Sequence, residues 1–198
     1  MNLYCKLKAP FPWFGIGSAR TACGNRVCSY DPRHHGLRHA GAAGEQAMIL
    51  AIDPGPTHSA FVDWNGSEIS AMGIPENQVL VDNINQFTDG IRGNLVIEQV
   101  ASYGMPVGAE VFETVFWSGR FAQAFRGQFH RLPRIKIKQH LCHDSRAKDG
   151  NIRQALIDRF GPPGTKRSPG LLYGVKKDIW AALALAVTWW DLNTGSGG

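Results

Sequence analysis

Apolar and polar positions follow two rhythms along this chain, and residues 1–47 keep to neither. Met48–Ile52 is a short continuous apolar run closed by Asp53-Pro54-Gly55, the pattern of a buried strand stopped by a turn. Ser59–Trp64 alternates in part, Asn65-Gly66 supplies a hairpin turn, and Glu68–Gly73 is the returning strand. Val81, Ile84, Phe87 and Ile91 recur at helical spacing and predict a helix over 78–91. Leu95–Ile97 predicts another short buried strand, ending at Glu98. Phe112, Val115, Phe116, Gly119, Ala122 and Phe125 fall on one helical stripe and predict a helix over 109–125. Ile135 and Ile137 alternate with basic residues, which predicts a strand over 134–138 with one wet face. Ile152, Leu156, Ile157 and Phe160 mark the inner side of a helix over 147–160. The Pro- and Gly-rich stretch 161–172 is a loop, and 178–190 is a last, almost wholly apolar helix. The order β-β-β-α-β-α-β-α-α predicts an α/β domain, a mixed sheet with helices on its faces.

Composition changes this picture mainly at the amino-terminal end. The 198 residues suit one domain with a tail, and no apolar run reaches the ~18 residues a membrane span requires. The net charge is +5, and residues 1–47, with six Lys/Arg against Asp31 and Glu45, hold +4 of it. A polyanion is therefore a reasonable partner. The same segment carries Cys5, Cys23 and Cys28, so the four cysteines of the chain do not form a disulfide framework. Cys23, Cys28, His34 and His39 are soft ligands at loose spacing for zinc. No apolar core or small-residue cleavage site marks a signal peptide. Met48 directly precedes the first strong strand. The expectation is an upstream, disordered basic extension over 1–47, a folded domain over 48–192 and a flexible end over 193–198. A reducing, cytoplasmic location is expected (the host cytoplasm for a phage-encoded chain).

Three carboxylates fall where carboxylates are costly. Asp53 follows Ile-Leu-Ala-Ile, Glu98 follows Leu-Val-Ile, and Asp178 opens the apolar helix. An Asp before Pro-Gly also suits a turn, and an Asp at a helix start meets the helix dipole. Glu98 has neither role and poor strand propensity. Strand ends in an α/β sheet are where ligand crevices form. If the two strands are neighbours, Asp53 and Glu98 project side by side. Clustered carboxylates repel unless a cation neutralises them, so their shared explanation is a divalent metal, Mg²⁺ above all.

Ile-Leu-Ala-Ile-Asp53-Pro-Gly resembles the first motif of the RuvC Holliday-junction resolvases, and Val-Ile-Glu98-Gln-Val resembles their second. Lys138 and the stretch Arg146-Ala147-Lys148-Asp149-Gly150-Asn151-Ile152-Arg153 resemble their basic strand and following helix. Asp178-Ile-Trp-Ala-Ala-Leu-Ala-Leu-Ala-Val resembles their last helix. The order of elements is the one expected of a ribonuclease-H-like fold, and over about 48–191 the chain resembles the phage-type RuvC-like proteins. The family helix usually carries a second acid three residues after the first. Here Asp178 takes the first position and Ala181 the second; sliding the helix instead leaves Val175 in the first. Asp53, Glu98 and Asp178 are therefore the catalytic and metal-ligating candidates. Asp149, Asp144 and His143 compete for a fourth ligand, with Asp149 foremost.

The resemblance implies a metal-dependent endodeoxyribonuclease that resolves four-way DNA junctions and leaves a 5′-phosphate. It implies two Mg²⁺ ions with Mn²⁺ as a substitute, Asp53 bridging them, and a homodimer. Other ribonuclease-H-like activities, on flaps or RNA/DNA hybrids, and a catalytically impaired junction binder are the alternatives. Arg134, Lys136, Lys138, Arg146, Lys148, Arg153, Lys176 and Lys177 are the candidate phosphate track, and Tyr103 the candidate base-stacking residue, although each is also an ordinary surface side chain. The Phe-rich helix over 109–125 carries Phe112, Phe116, Trp117, Phe121 and Phe125, more aromatics than one stripe can bury. It is the candidate dimer interface.

Overall fold

A computed structural model describes residues 48–87, 93–102, 104 and 106–194. The extension 1–47 with its candidate zinc ligands, the end of the chain, Ile91 and Tyr103 lie outside the described residues. The elements are β1 (Met48–Asp53), β2 (Ala60–Trp64), β3 (Ile69–Gly73), α1 (Asn77–Phe87), β4 (Gly93–Gln99), α2 (Ala109–Ala124), β5 (Gln128–Pro133), α3 (Arg134–Cys142), α4 (Asp149–Phe160) and α5 (Ile179–Thr194). Five strands form one mixed sheet in the order β3-β2-β1-β4-β5. The β1–β2 and β2–β3 pairs are antiparallel hairpins, while β1–β4 and β4–β5 are parallel. No helix among the described residues is long and apolar enough to cross a membrane.

Side-chain alternation assigns the two faces of the sheet. Ile49 and Ala51 of β1, Ala60, Val62 and Trp64 of β2, and Val96 of β4 pack with the apolar α5 into one core. Ten residues of α5 are buried, from Ile179 to Trp189, which explains why that segment reads apolar all round. Ile52, Phe61, Leu95 and Ile97 have the opposite parity and are buried on the other face of the sheet. The hairpin turn forms as expected. Asn65 Oδ1 accepts from the Ser67 and Glu68 backbone amides at 2.9 and 2.8 Å, and Gly66 adopts φ +96° where Trp190 leaves no room for a Cβ.

The structure corrects the expected strand over 134–138. The strand runs earlier, over Gln128–Pro133, and residue 134 opens a helix. Pro133 has no amide proton to extend the ladder, and with φ −72° and ψ 143° it leads into the helix. A strand would have buried Ile135 and Ile137 alike. The helix buries Ile137 and tucks Leu141 against the core one turn later, while Ile135 is left 40% exposed. A five-residue alternation containing one turn of helix is too short to separate the two periods.

The aromatics of α2 divide between core and surface, as their number requires. Phe121, Ala124 and Phe125 are buried, but Phe112, Val115 and Phe116 are 65%, 51% and 57% exposed. The helix therefore anchors through its last turn, and its first half presents an aromatic face to solvent.

Candidate active site

Register brings the first two acids together. Ile52 of β1 pairs with Ile97 of β4 in parallel, so Asp53 and Glu98 are the next residues on adjacent strands. Asp53 shares the parity of Ile49 and Ala51, and Glu98 that of Val96. Both carboxylates thus leave the sheet on the side covered by α5. The turn after Asp53 is braced by buried polar groups. Ser59 Oγ donates to Asn77 Oδ1 at 2.7 Å and accepts from the Gly55 amide at 3.1 Å, while Asn77 Nδ2 donates to the Gly55 carbonyl at 2.9 Å. A Cβ at Gly55 would stand 2.3 Å from the His58 carbonyl oxygen, so the Asp-Pro-Gly turn tolerates no larger residue.

The helices supply the remaining acids. Asp178 immediately precedes α5, and its carbonyl accepts from the Ala181 and Ala182 amides. Asp149 is the first residue of α4. Asp53, Asp149 and Asp178 line one small hollow of about 100 Å³ with Arg134, Lys177, Ile152, Trp180 and Ala181. Ala181, one of the two positions at which the sequence resemblance leads one to expect a further acid, is thus part of the wall, and Asp149 reaches the same hollow from a different helix. Lys177 carries a left-handed φ of +48°, an uncommon backbone state for a residue with a side chain, directly before Asp178.

Arg134 stands at the centre of this cluster. Its Nη1 donates to both Glu98 oxygens, at 3.1 and 2.9 Å, and its Nη2 donates to Asp149 Oδ1 at 2.6 Å. Burial is the largest influence on Asp53, followed by the negative charge of Glu98, and Asp178 and Asp149 add to it. Together they outweigh Arg134 and push the carboxyl up to about 7. Burial also raises Glu98, against the opposing pull of Arg134. Among the described residues, no three His, Cys, Asp or Glu side chains are drawn together as a ready-made metal cage. The donors are all hard carboxylate oxygens, the type a Mg²⁺-like ion takes, and Asp53 is left under-compensated by its neighbours.

The remaining predicted residues divide. Lys138, one helical turn after Arg134, acts electrostatically on Glu98 and borders a depression with Arg134, Ile135 and Ser145. Arg153 is held with its guanidinium 4.9 Å from the ring centre of Trp180, a residue of the hollow's wall, but does not itself line the hollow. Lys136, Arg146, Lys148 and Lys176 are exposed and do not line that hollow. Asp144 accepts from the Arg146 amide in the turn before α4, and His143 ends α3 with a left-handed φ of +55°. Neither borders the hollow. Sequence reasoning placed Arg134 on a phosphate track and missed its ion pairs, because a strand at 134–138 would not direct it at Glu98. The one signal available was Pro133, whose missing amide marks the end of a strand.

Two further features surround the site. Asp191 of α5 receives both guanidinium nitrogens of Arg159, at 2.5 and 2.8 Å, and lies 2.7 Å from His140 Nε2. These bonds tie α3, α4 and α5 together, and they hold the Asp191 carboxyl below its usual range despite its burial. On the other face of the sheet, a groove of about 360 Å³ runs from Glu98 between α2 and β5, lined by Gln99, Val115, Gly119, Phe129 and Arg131.

The fold is similar to that of Thermus thermophilus RuvC, with a TM-score of 0.57 and 15% identity over 75% of this chain and 97% of that one. It is also similar to T. thermophilus RuvC in complex with a Holliday junction substrate, with a TM-score of 0.51 and 12% identity over 76% of this chain and 97% of that one. The mixed five-strand sheet flanked by helices is thus a RuvC-type, ribonuclease-H-like fold. No family model matches the sequence, and no curated protein matches it.

Proposed function

We propose that this chain is a divalent-metal-dependent endonuclease that cuts branched DNA, with four-way junctions as its substrate. The observation that carries the reading is the pairing of Asp53 and Glu98 at the ends of adjacent parallel strands, beside a hollow that also takes Asp178 and Asp149. Buried acids at such positions contribute nothing to packing, and their repulsion costs stability. Likeness to a resolvase solved with a Holliday junction substrate supports the choice of DNA.

Asp53, Glu98 and Asp178 would hold the metal, with Asp149 as the fourth carboxylate. Bound there, Mg²⁺ supplies an activated water and a counter-charge for the oxygen leaving phosphorus. The chain's own residues do the rest. The braced Asp-Pro-Gly turn fixes the direction of Asp53, and the β4 ladder fixes that of Glu98. Lys177, Lys138 and Arg153 put positive charge around the acids, where a backbone phosphate must approach against four carboxylates. The exposed Phe112-Phe116 face of α2 serves as the contact with a second copy, so that two centres meet two strands of one junction.

The test is cleavage of labelled four-way, flap, duplex and RNA/DNA hybrid substrates with Mg²⁺ and then with EDTA. Preferential, paired cutting of the four-way junction, lost in EDTA, is the expected result. Preference for the hybrid would move the chain to a ribonuclease H activity. Tight junction binding without cleavage would make it a binding protein, a reading that the Arg134 ion pairs and Ala181 favour.

A further inference from the structure

The acid cluster is divided. Glu98, with an 11% exposed side chain, has both carboxylate oxygens taken by one guanidinium nitrogen, and Asp149 holds the other nitrogen. Arginine keeps its charge at every accessible pH, so this partner does not leave by deprotonation. Its backbone is anchored as well: Pro133 ends the strand before it, and Ile137, buried in the core, pins α3 one turn later. Lys138 adds a second positive charge toward Glu98. On the other side, Asp53 and Asp178 share the small hollow with Arg134 and Lys177. Among the described residues, however, the hydrogen bonds of the Arg134 guanidinium go to Glu98 and Asp149 alone, and Arg134 acts on Asp53 only through its charge. A divalent cation approaching Asp53 and Asp178 meets carboxylate oxygens that no guanidinium hydrogen bond occupies, with Arg134 and Lys177 in the wall of the hollow. One approaching Glu98 meets carboxylate oxygens already committed to a fixed positive charge, which repels it.

We infer that Arg134 is a resident counter-ion for Glu98 and Asp149, so that the DNA-free protein takes one divalent cation, on the Asp53–Asp178 side, and a second only when Arg134 is drawn away. The inference rests on the metal-dependent reading above. Arg134 is a positioning residue in this arrangement. It holds Glu98 in place against the repulsion of its neighbours and yields it to a cation on demand. A backbone phosphate is the group suited to draw it off, because it offers a guanidinium the same two-pronged geometry as a carboxylate does. Filling of the second cation position is thereby coupled to arrival of DNA, and water in the empty centre is not activated.

The experiment counts Mn²⁺ bound to the full-length, DNA-free chain at neutral pH, by titration calorimetry and by the electron paramagnetic resonance signal of free Mn²⁺. The wild-type chain should bind one ion tightly. Arg134→Gln removes the charge and should bind two, the second at least tenfold tighter than in the wild type. Arg134→Lys keeps the charge and should bind one. Thermal unfolding in EDTA should show Arg134→Gln melting lower than the wild type, with Mn²⁺ restoring more of the loss than it adds to the wild type. Two tight ions on the wild-type chain would overturn the inference without any variant, which keeps it testable if Arg134→Gln fails to fold. Equal counts in wild type and Arg134→Gln, or two ions in Arg134→Lys, would overturn it while the metal-dependent reading stands. No ion on either chain would remove both.

Discussion

Replacing Asp53 by Asn should stabilise the metal-free protein at alkaline pH while it abolishes cleavage. The carboxyl is raised from its ordinary 3.8 to about 7 by burial and by Glu98, Asp178 and Asp149, against the pull of Arg134. Between those two values the folded chain binds a proton there that the unfolded chain has released. Stability therefore falls as pH rises through that window. Each tenfold difference in acidity is worth about 1.4 kcal/mol, so the shift from 3.8 to about 7 corresponds to about 4 kcal/mol of ionisation cost, carried in full at pH 8 and absent at pH 3. Asn has no such cost. Urea denaturation in EDTA at pH 4, 6 and 8 should show the wild type losing on the order of 4 kcal/mol more than Asp53→Asn across the series. Mg²⁺ should then stabilise the wild type and leave the variant unmoved. Parallel pH curves for the two proteins, or a variant less stable than the wild type at pH 8, would refute the electrostatic reasoning.

Asp63 offers the same test away from the proposed chemistry: burial alone lifts its carboxyl to about 7 on the sheet face opposite the acids, so Asp63→Asn should flatten the same part of the pH–stability curve and leave cleavage unchanged. Phe112→Ser with Phe116→Ser should turn a dimer into a monomer by sedimentation at micromolar concentration, with little loss of fold stability because both rings are exposed; a wild-type monomer with and without DNA would remove the proposed interface. Deleting residues 1–47 should leave cleavage intact and shallow the slope of log affinity against log salt, by about 0.9 for each phosphate the +4 segment neutralises. An unfolded truncation, or zinc bound to the intact chain, would show instead that the segment is structural.

The legibility of the fold followed the strength of its periods. The strands β1 and β4 announced themselves as apolar runs because both their faces are covered, and α5 as an apolar helix because ten of its residues are buried. Asp53 and Glu98 were visible for the same reason, as charges terminating apolar runs. Their side-by-side placement was only conditional, since strand order depends on long-range pairing that no local pattern encodes. Residues 134–138 misread because two isoleucines at a spacing of two fit a strand, whereas Ile137 with Leu141 fits a helix, and the deciding partner lay outside the window. That some rings of α2 face outward was legible from their number, but not which ones, because a stripe reports which residues share a face and not which side of the helix the domain covers. Asp149 was nameable as an acid at a helix start, but its approach to Glu98 runs through Arg134, a contact between three elements. The bracing of the Asp53 turn by Ser59 and Asn77 left no sequence signal at all, since both are ordinary polar residues until the hairpin and α1 bring them together.

The most direct test is the single-turnover cleavage rate of a labelled four-way junction by Asp178→Asn, compared with the wild type and Asp53→Asn at saturating Mg²⁺, with junction affinity measured in parallel. Ligands of one centre act as a unit, so each single variant should fall by on the order of 10³-fold or more, the double variant should fall little further, and binding should survive because it rests on the Lys/Arg surface. Near-normal turnover by Asp178→Asn would mean that the last helix holds no cation, and the assignment of these acids to one metal centre would be wrong.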